Sequence, residues 1–268
     1  MSNFKIATVV QARMSSTRLP FKVMMSLAGK PLIYRQIERI NSSILSGTLV
    51  VATSNEKSDD DLANYCVSEG INVYRGSLND LLDRHYNAAK SVDANIVIKI
   101  PSDCPLIDPN VINKVVKYYL NNQDKFDFVS NLHPATYPDG NDVEIMSVSA
   151  LETAVNFAQK DYEREHTTPF FWENPERFRI GNIEWETGFN YSMSHRWTID
   201  YEEDYLFIKR VYDELYNPNY PFTLYDILNL LDRKPEIKLI NKKFAGVNWY
   251  RNHLGELKTI SKNQTKAV

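Results

Sequence analysis

The chain has 268 residues, 43% of them hydrophobic, and a formal net charge of −3. That length fits one large domain, or a core domain with a small appendage, and the apolar content is enough for a sizeable core. The slightly acidic balance argues against nucleic acid as the main partner, because that partner needs a basic face. Two cysteines, Cys66 and Cys104, do not make a disulfide framework. With no signal-peptide pattern, the expected setting is a reducing cytoplasm. No apolar run approaches the roughly 20 residues that span a bilayer, so no membrane partner is expected.

The first half alternates strand and helix. Residues 4–10 read as an apolar strand, and 31–42 as a helix with Pro31 in its first turn and Leu32, Ile33, Ile37 and Ile40 on one face. Residues 48–53 form a second strand, and Ser58 or Asp59 caps a helix running to about residue 69. Residues 71–74 make a short strand, 78–91 a helix, and 94–100 a buried strand. Then come a helix at 109–121 and a strand at 126–130. The second half is less regular. A turn-rich loop at 134–142 precedes a strand at 143–148, helices at 149–159 and 162–173, and strand candidates at 179–185 and 195–199. Helices at 201–216 and 223–232 follow, and the last dozen residues are expected to fray. This alternation predicts an α/β fold: a doubly wound, mostly parallel sheet with helices on both faces. We expect one domain over 1–250, with an inserted lid or dimerisation element at about 132–195, and a polar tail at 251–268.

Ligands of such sheets bind beyond the carboxyl ends of the strands. The loop after the first strand, Gln11-Ala12-Arg13-Met14-Ser15-Ser16-Thr17-Arg18-Leu19-Pro20-Phe21-Lys22, concentrates two arginines, a lysine and three hydroxyls there. Backbone N–H groups, hydroxyls and guanidinium forks all donate to phosphate oxygens, so it reads as a phosphate-wrapping loop. After the 94–100 strand, Ser102-Asp103-Cys104-Pro105-Leu106 offers a carboxylate either for a hard cation or for capping the next turn. Asp200 ends Arg196-Trp197-Thr198-Ile199-Asp200. It either caps the following helix, with Glu203 completing a capping box, or supplies a second metal carboxylate. Asp139-Gly140-Asn141-Asp142-Val143-Glu144 suits sugar hydroxyls but is also an ordinary turn composition. Arg84 either pairs with Asp80 along its helix or meets the nucleotide. His166, in Arg164-Glu165-His166-Thr167-Thr168-Pro169, either orients an acceptor or is structural. Asp59-Asp60-Asp61 is set aside as a metal motif, because acids favour a helix N-terminus anyway.

Val9-Val10 through Leu19-Pro20, then Lys22 and Leu27-Ala28-Gly29-Lys30-Pro31-Leu32, resemble the opening signature of the SpsF-like cytidylyltransferases. That branch is similar to the CMP-acylneuraminate and CMP-KDO synthetases. The likeness runs on through Val50-Val51-Ala52-Thr53, Asp80-x-x-Asp83-Arg84, Ser102 to Leu106, Gly140 to Glu144, Arg164 to Pro169 and Arg196 to Asp200, covering about residues 4–245. It implies a nucleotide-diphospho-sugar transferase-like (GT-A-like) fold, CTP as donor, Mg2+ as cofactor and a homodimer. By position it implies Arg13, Arg18 and Lys22 at the triphosphate and Asp103 and Asp200 at the metal, with Arg13, Lys22, Asp103 and Asp200 catalytic. The wider nucleotide set is Gln11, Ala12, Ser15, Ser16, Thr53, Arg84 and Ser102. Asp142, Glu144, Arg164, His166 and Arg196 are expected near the acceptor. One departure is Phe21, where the family commonly has Gly. It implies a differently shaped loop, or a ring in contact with something nearby.

The expected reaction transfers CMP from CTP to the anomeric hydroxyl of a 2-keto sugar acid and releases pyrophosphate, in surface polysaccharide or glycan synthesis. Three alternatives stay open: transfer onto a phosphorylated sugar or polyol to give a CDP product, a GT-A-like glycosyltransferase, and a nucleotide-binding module without turnover. Arg164, Arg179 and Arg196 are the cations that either a carboxylate or a phosphate acceptor would use.

Overall fold

The computed structural model describes residues 4–266. β1 (Ile6–Gln11) leads into the basic loop, a 3-10 turn at Lys22–Met24, and a small ribbon of β2 (Ser26–Leu27) and β3 (Lys30–Pro31). There follow α1 (Leu32–Asn41), β4 (Thr48–Ser54), α2 (Asp60–Ser68), β5 (Asn72–Gly76), α3 (Leu81–Ser91), β6 (Ile96–Pro101) and α4 (Pro109–Asn121). The second half holds β7 (Phe128–Ser130), β8 (Glu144–Ser147), α5 (Val148–Phe157), α6 (Asp161–His166), α7 (Pro169–Trp172) and β9 (Ile180–Asn182). It closes with α8 (Glu202–Leu215), α9 (Leu224–Arg233) and α10 (Pro235–Leu239).

Seven strands form one sheet in the order β5-β4-β1-β6-β8-β7-β9. Only β8 runs against the rest, pairing antiparallel with both β6 and β7. Both faces are covered, which explains the unbroken apolar runs in β1, β4 and β6. Val10, Val51, Ile98 and Ile100 pack against α1, α2, α4, α8 and α9. Their alternating neighbours Val9, Val50 and Val97 pack against α3, α5 and α7. Among the described residues no helix is long and apolar enough to cross a membrane.

The sheet reverses its winding at β1, whose neighbours are β4 on one side and β6 on the other. The end of β1 pairs with the end of β6, Gln11 opposite Pro101. The loops leaving these two ends diverge and open the crevice that such a switch point creates.

Several expectations are corrected here. The 195–199 segment is no strand: it makes a single bridge, Arg196 with Asp139, because its neighbours are loops rather than a strand edge. The 162–173 helix divides at Thr167 (φ 69°), and Pro169, with no N–H to give, starts a new turn. The 132–195 segment supplies β8 and β9 to the sheet and α5–α7 to one face. Residues 251–266 do not fray. Leu257 and Ile260 are buried, and the Lys258 and Thr259 N–H groups donate to Glu173 at 2.7 and 2.9 Å. Ala267 and Val268 lie outside the described residues.

Candidate active site

The basic loop is folded by its own backbone and by one buried acid. Met14 N–H donates to Asp59 Oδ1 at 2.7 Å, and Asp59 also accepts from Ser54 at the end of β4. The Phe21 N–H donates to Met14 O at 3.0 Å, closing the loop on itself. Phe21 sits at φ 61°, ψ 14°. It therefore adopts the left-handed backbone that a glycine would take without cost, so the loop keeps that geometry under strain. The backbone N–H groups of Arg13, Ser15, Thr17 and Arg18 have no acceptor among the described residues.

Lys22 reaches from this loop across the crevice. Its Nζ donates to Ile199 O at 2.6 Å and to Asp200 Oδ1 at 3.1 Å. Arg18 Nη2 lies 2.7 Å from the same Asp200 oxygen, and Arg196 Nη2 lies 3.4 Å from Asp200 Oδ2. Burial alone would raise the Asp200 carboxyl, but Lys22 and Arg18 outweigh it and hold its pKa below the ordinary value. Asp200 does not cap α8. Tyr201 occupies the cap position, and Asp204, not Glu203, accepts the N–H groups of Asp200 and Tyr201 at 3.0 and 3.1 Å. The Asp200 side chain is thus free for the cleft.

Asp103 is joined to the same segment through its backbone. Its carbonyl accepts from Ile199 N–H at 2.9 Å and from Thr198 Oγ1 at 3.0 Å. Its carboxyl pKa is raised, first by burial and further by Asp200, with Lys22 opposing. Asp139 is raised well above the usual range by burial and Asp142, while burial and Asp103 push Asp142 up to about 7. Gly140 makes this arrangement possible: at φ 103°, a Cβ there would lie 2.7 Å from the Trp197 carbonyl carbon. The 139–142 turn and the 196–200 segment touch because nothing stands between them.

Apart from Lys22, Asp59 and Asp204, the charged side chains just described line one cleft of about 380 Å3. Gln11, Arg18, Asp103, Asp142, Glu144, His166, Arg196 and Asp200 all border it. Glu144 pairs with Lys99 from β6 at the cleft floor and keeps Oε1 buried without a partner. Burial lowers the His166 imidazole to about 3, and its ring stacks on Trp249 with centroids 3.8 Å apart. Ala12, Thr53, Ser102 and Arg84 are buried around the carboxyl ends of the strands rather than on the cleft wall.

Arg84 does not pair with Asp80. It donates to Ser77 O at 3.0 Å, and its Nε is buried without a partner. Burial lowers its pKa to about 10; Asp59 opposes this, and the nearby Arg13 adds to it. Arg13 makes no hydrogen bond or ion pair among the described residues. Two guanidinium groups without a carboxylate therefore lie within electrostatic reach of each other behind the loop.

Arg164 stands apart from the cleft, which corrects its expected place near an acceptor. It holds Asp80, the N-cap of α3, with Nε at 3.0 Å, and donates to Val155 O at 2.7 Å. Lys99 has no expected role, although its charge inside an otherwise apolar strand is a usable signal, and Asp59 is expected only as a helix cap because its partner Met14 lies 45 residues away. Asp139 was read only as part of its turn. Arg251 falls in the expected polar tail at 251–268, and nothing in the local sequence singles out Trp249.

Residues 7–226 match the cytidylyltransferase family. A solved cytidylyltransferase from Leptospira borgpetersenii serovar Hardjo-bovis superposes with a TM-score of 0.82 at 33% identity, covering 88% of this chain and 97% of that one. The spore coat polysaccharide biosynthesis protein SpsF of Bacillus subtilis is 28% identical over 236 residues, 86% of this chain and 95% of SpsF. The 3-deoxy-manno-octulosonate cytidylyltransferase of Chloroherpeton thalassium is 34% identical over 121 residues, 44% of this chain and 47% of that protein.

Proposed function

This chain belongs to the cytidylyltransferase family, and on that footing we propose that it transfers CMP from CTP to the anomeric hydroxyl of a 2-keto sugar acid, releasing pyrophosphate. The observation that carries the proposal is the meeting of loop cations and cleft acids. Arg18 and Lys22 converge on Asp200, while in the same cleft burial raises the carboxyls of Asp103, Asp139 and Asp142, with Asp200 adding to it at Asp103, Asp142 at Asp139 and Asp103 at Asp142.

The chain's own residues account for binding. Arg18 and Lys22 leave Asp200 for the β- and γ-phosphates, where charge gathers as pyrophosphate departs. The free N–H groups of the loop, together with Arg13 and Arg84, add donors to the same oxygens. On the acceptor side, Glu144 Oε1 and the Asp139–Asp142 pair accept from sugar hydroxyls. Asp142, at about 7, is matched to take the proton from the attacking hydroxyl.

Mg2+ is the cation this donor set fits. Asp103 and Asp200 offer hard oxygen ligands, and Mg2+ is commonly held by one or two carboxylates plus waters and substrate phosphates. Among the described residues no group of three or more His, Cys, Asp or Glu could hold a metal. When bound, Mg2+ would supply Lewis-acid stabilisation of the α-phosphoryl oxygens.

A CDP-forming reaction needs cations for an acceptor phosphate. Arg164 is engaged by Asp80, Arg179 by Asp127 and Arg196 by Asp204, so none of the three is reserved for either kind of acceptor, and the sugar acid rests on the family likeness. The test is pyrophosphate release with each NTP against a panel of 2-keto sugar acids and phosphorylated polyols. CTP with a sugar acid is the expected pair, and turnover only with a phosphorylated acceptor would refute the proposal. Asp103→Asn should cut that turnover about 100- to 1000-fold while the protein stays folded.

A further inference from the structure

The acceptor side of the cleft has a charge problem. Asp103, Asp139, Asp142 and Glu144 all border it, so an acceptor that is itself a carboxylate meets repulsion unless a cation is reserved for it. Four lysine and arginine side chains line the cleft: Arg18, Lys99, Arg196 and Arg251. Three are already held by carboxylates, Arg18 by Asp200, Lys99 by Glu144 and Arg196 by Asp204. His166 and His133 also line it, but burial lowers their imidazoles to about 3 and about 4, so neither adds charge near neutral pH.

Arg251 is different. Its Nη2 donates to Tyr201 OH at 3.3 Å, its Nη1 is buried with no hydrogen-bond partner, and it has no carboxylate partner among the described residues. Arg251 as a whole is half-buried, but a buried donor left unsatisfied, as its Nη1 is, is costly to keep. It is held in place all the same. Asn248 caps its turn by accepting from Tyr250 N–H at 3.1 Å and donates to Gln264 O at 2.8 Å. Lys266 N–H donates to Gly246 O at 2.8 Å, and Glu173 clasps the backbone at Lys258 and Thr259. This segment lies beyond residues 7–226, the part that matches the family.

We propose that Arg251 recognises the carboxylate of the acceptor. The inference rests on the sugar-acid reading above and gives it a residue. In the ring form of a 2-keto sugar acid, the anomeric carbon bears both the reacting hydroxyl and the carboxylate. A hydroxyl held beside Asp142, in the cleft that Asp103, Asp200 and Arg251 also line, therefore puts the carboxylate only a few bonds from the reacting oxygen. Tyr201, next to Asp200 in the chain, carries the contact to Arg251. The planar guanidinium fork suits a carboxylate bidentately, which an ammonium cannot reproduce. The C-terminal segment thereby serves as a specificity wall, choosing acids over neutral sugars.

Steady-state pyrophosphate release with saturating CTP tests this. The acceptor probes are a panel of 2-keto sugar acids including 3-deoxy-manno-octulosonate and N-acetylneuraminate, each paired with its C1 amide. In Arg251→Gln the KM for the acid should rise about 100-fold with the KM for CTP unchanged, as expected when one member of a desolvated charge pair is removed. The wild-type preference for acid over amide should collapse in that variant, and Arg251→Lys should restore part of it. An intact acid-over-amide preference in Arg251→Gln, or a CTP KM that rises in step, would overturn the assignment while leaving the sugar-acid reading standing. A wild type that uses CTP but accepts no sugar acid would remove that reading itself, and the role of Arg251 with it.

Discussion

Asp200 holds the loop cations Arg18 and Lys22, which on the proposed function the nucleotide phosphates take over, and Asp200→Asn separates that holding role from catalysis. The fold should survive the change. Lys22 keeps its 2.6 Å bond to Ile199 O, and Arg196 keeps both oxygens of Asp204 at 2.9 and 3.0 Å. What is lost is the attraction that ties up Arg18 and Lys22. The Arg18 side chain is 44% exposed, so its pair is discounted for solvent to ~0.5 kcal/mol. Lys22, at 11% exposed, contributes ~1–2 kcal/mol as a largely desolvated charged hydrogen bond. Releasing ~1.5–2.5 kcal/mol corresponds to roughly 10- to 70-fold. The variant should therefore bind CTP that much more tightly when a chelator removes divalent cations, as read by isothermal titration calorimetry. With Mg2+ present its kcat should fall about 100- to 1000-fold. Equal or weaker metal-free binding by the variant, or an unchanged kcat, would refute the exchange of Asp200 for phosphate.

Phe21→Gly relieves a left-handed residue whose side chain is 59% exposed. Weighed against the extra freedom of glycine in the unfolded chain, the gain should be ~0.5–1 kcal/mol in urea unfolding; a loss of that size would mean the ring itself braces the loop. Gly140→Ala, with a Cβ 2.7 Å from the Trp197 backbone at φ 103°, should cost ~2–4 kcal/mol and depress turnover; wild-type stability would show that the two loops can separate freely. Asp142→Asn tests the raised carboxyl. Its folded pKa of about 7 stands above the ordinary 3.8, so the wild type loses stability as pH rises between those values. The variant keeps the geometry that accepts the Gly140 N–H at 3.2 Å. It should match the wild type below pH 3.8 and exceed it above about 7. A stability difference that does not change with pH would contradict the burial argument.

The sheet was readable because β1, β4 and β6 are apolar on both faces and end in turn-forming residues. α4 matches its expected bounds, Pro109–Asn121, because Asp108 and Pro109 mark its start so clearly. Lys22 and Asp103 were legible as charge on the loops leaving β1 and β6, whereas Asp200 was expected at the end of a strand that the structure does not form. What spacing cannot show is a partner far along the chain. Asp80 looked like the natural mate for Arg84 four residues on, yet it is taken by Arg164, 84 residues away. Asp59 looked like one of three helix-start acids, yet it anchors Met14, 45 residues back. Composition misled at the C-terminus. A polar stretch reads as loose, but here two buried side chains and Glu173 hold it against the core. The 195–199 segment has the residues of a strand and no strand beside it, a fact of topology rather than of local preference.

The most direct measurement is 31P NMR of purified protein turning over CTP and Mg2+ with the sugar-acid panel. We expect pyrophosphate together with a new single-phosphorus diester resonance, the mark of a CMP-linked sugar acid. A pair of mutually coupled product phosphorus signals from a phosphorylated acceptor, or CTP left intact with every sugar acid, would contradict the account.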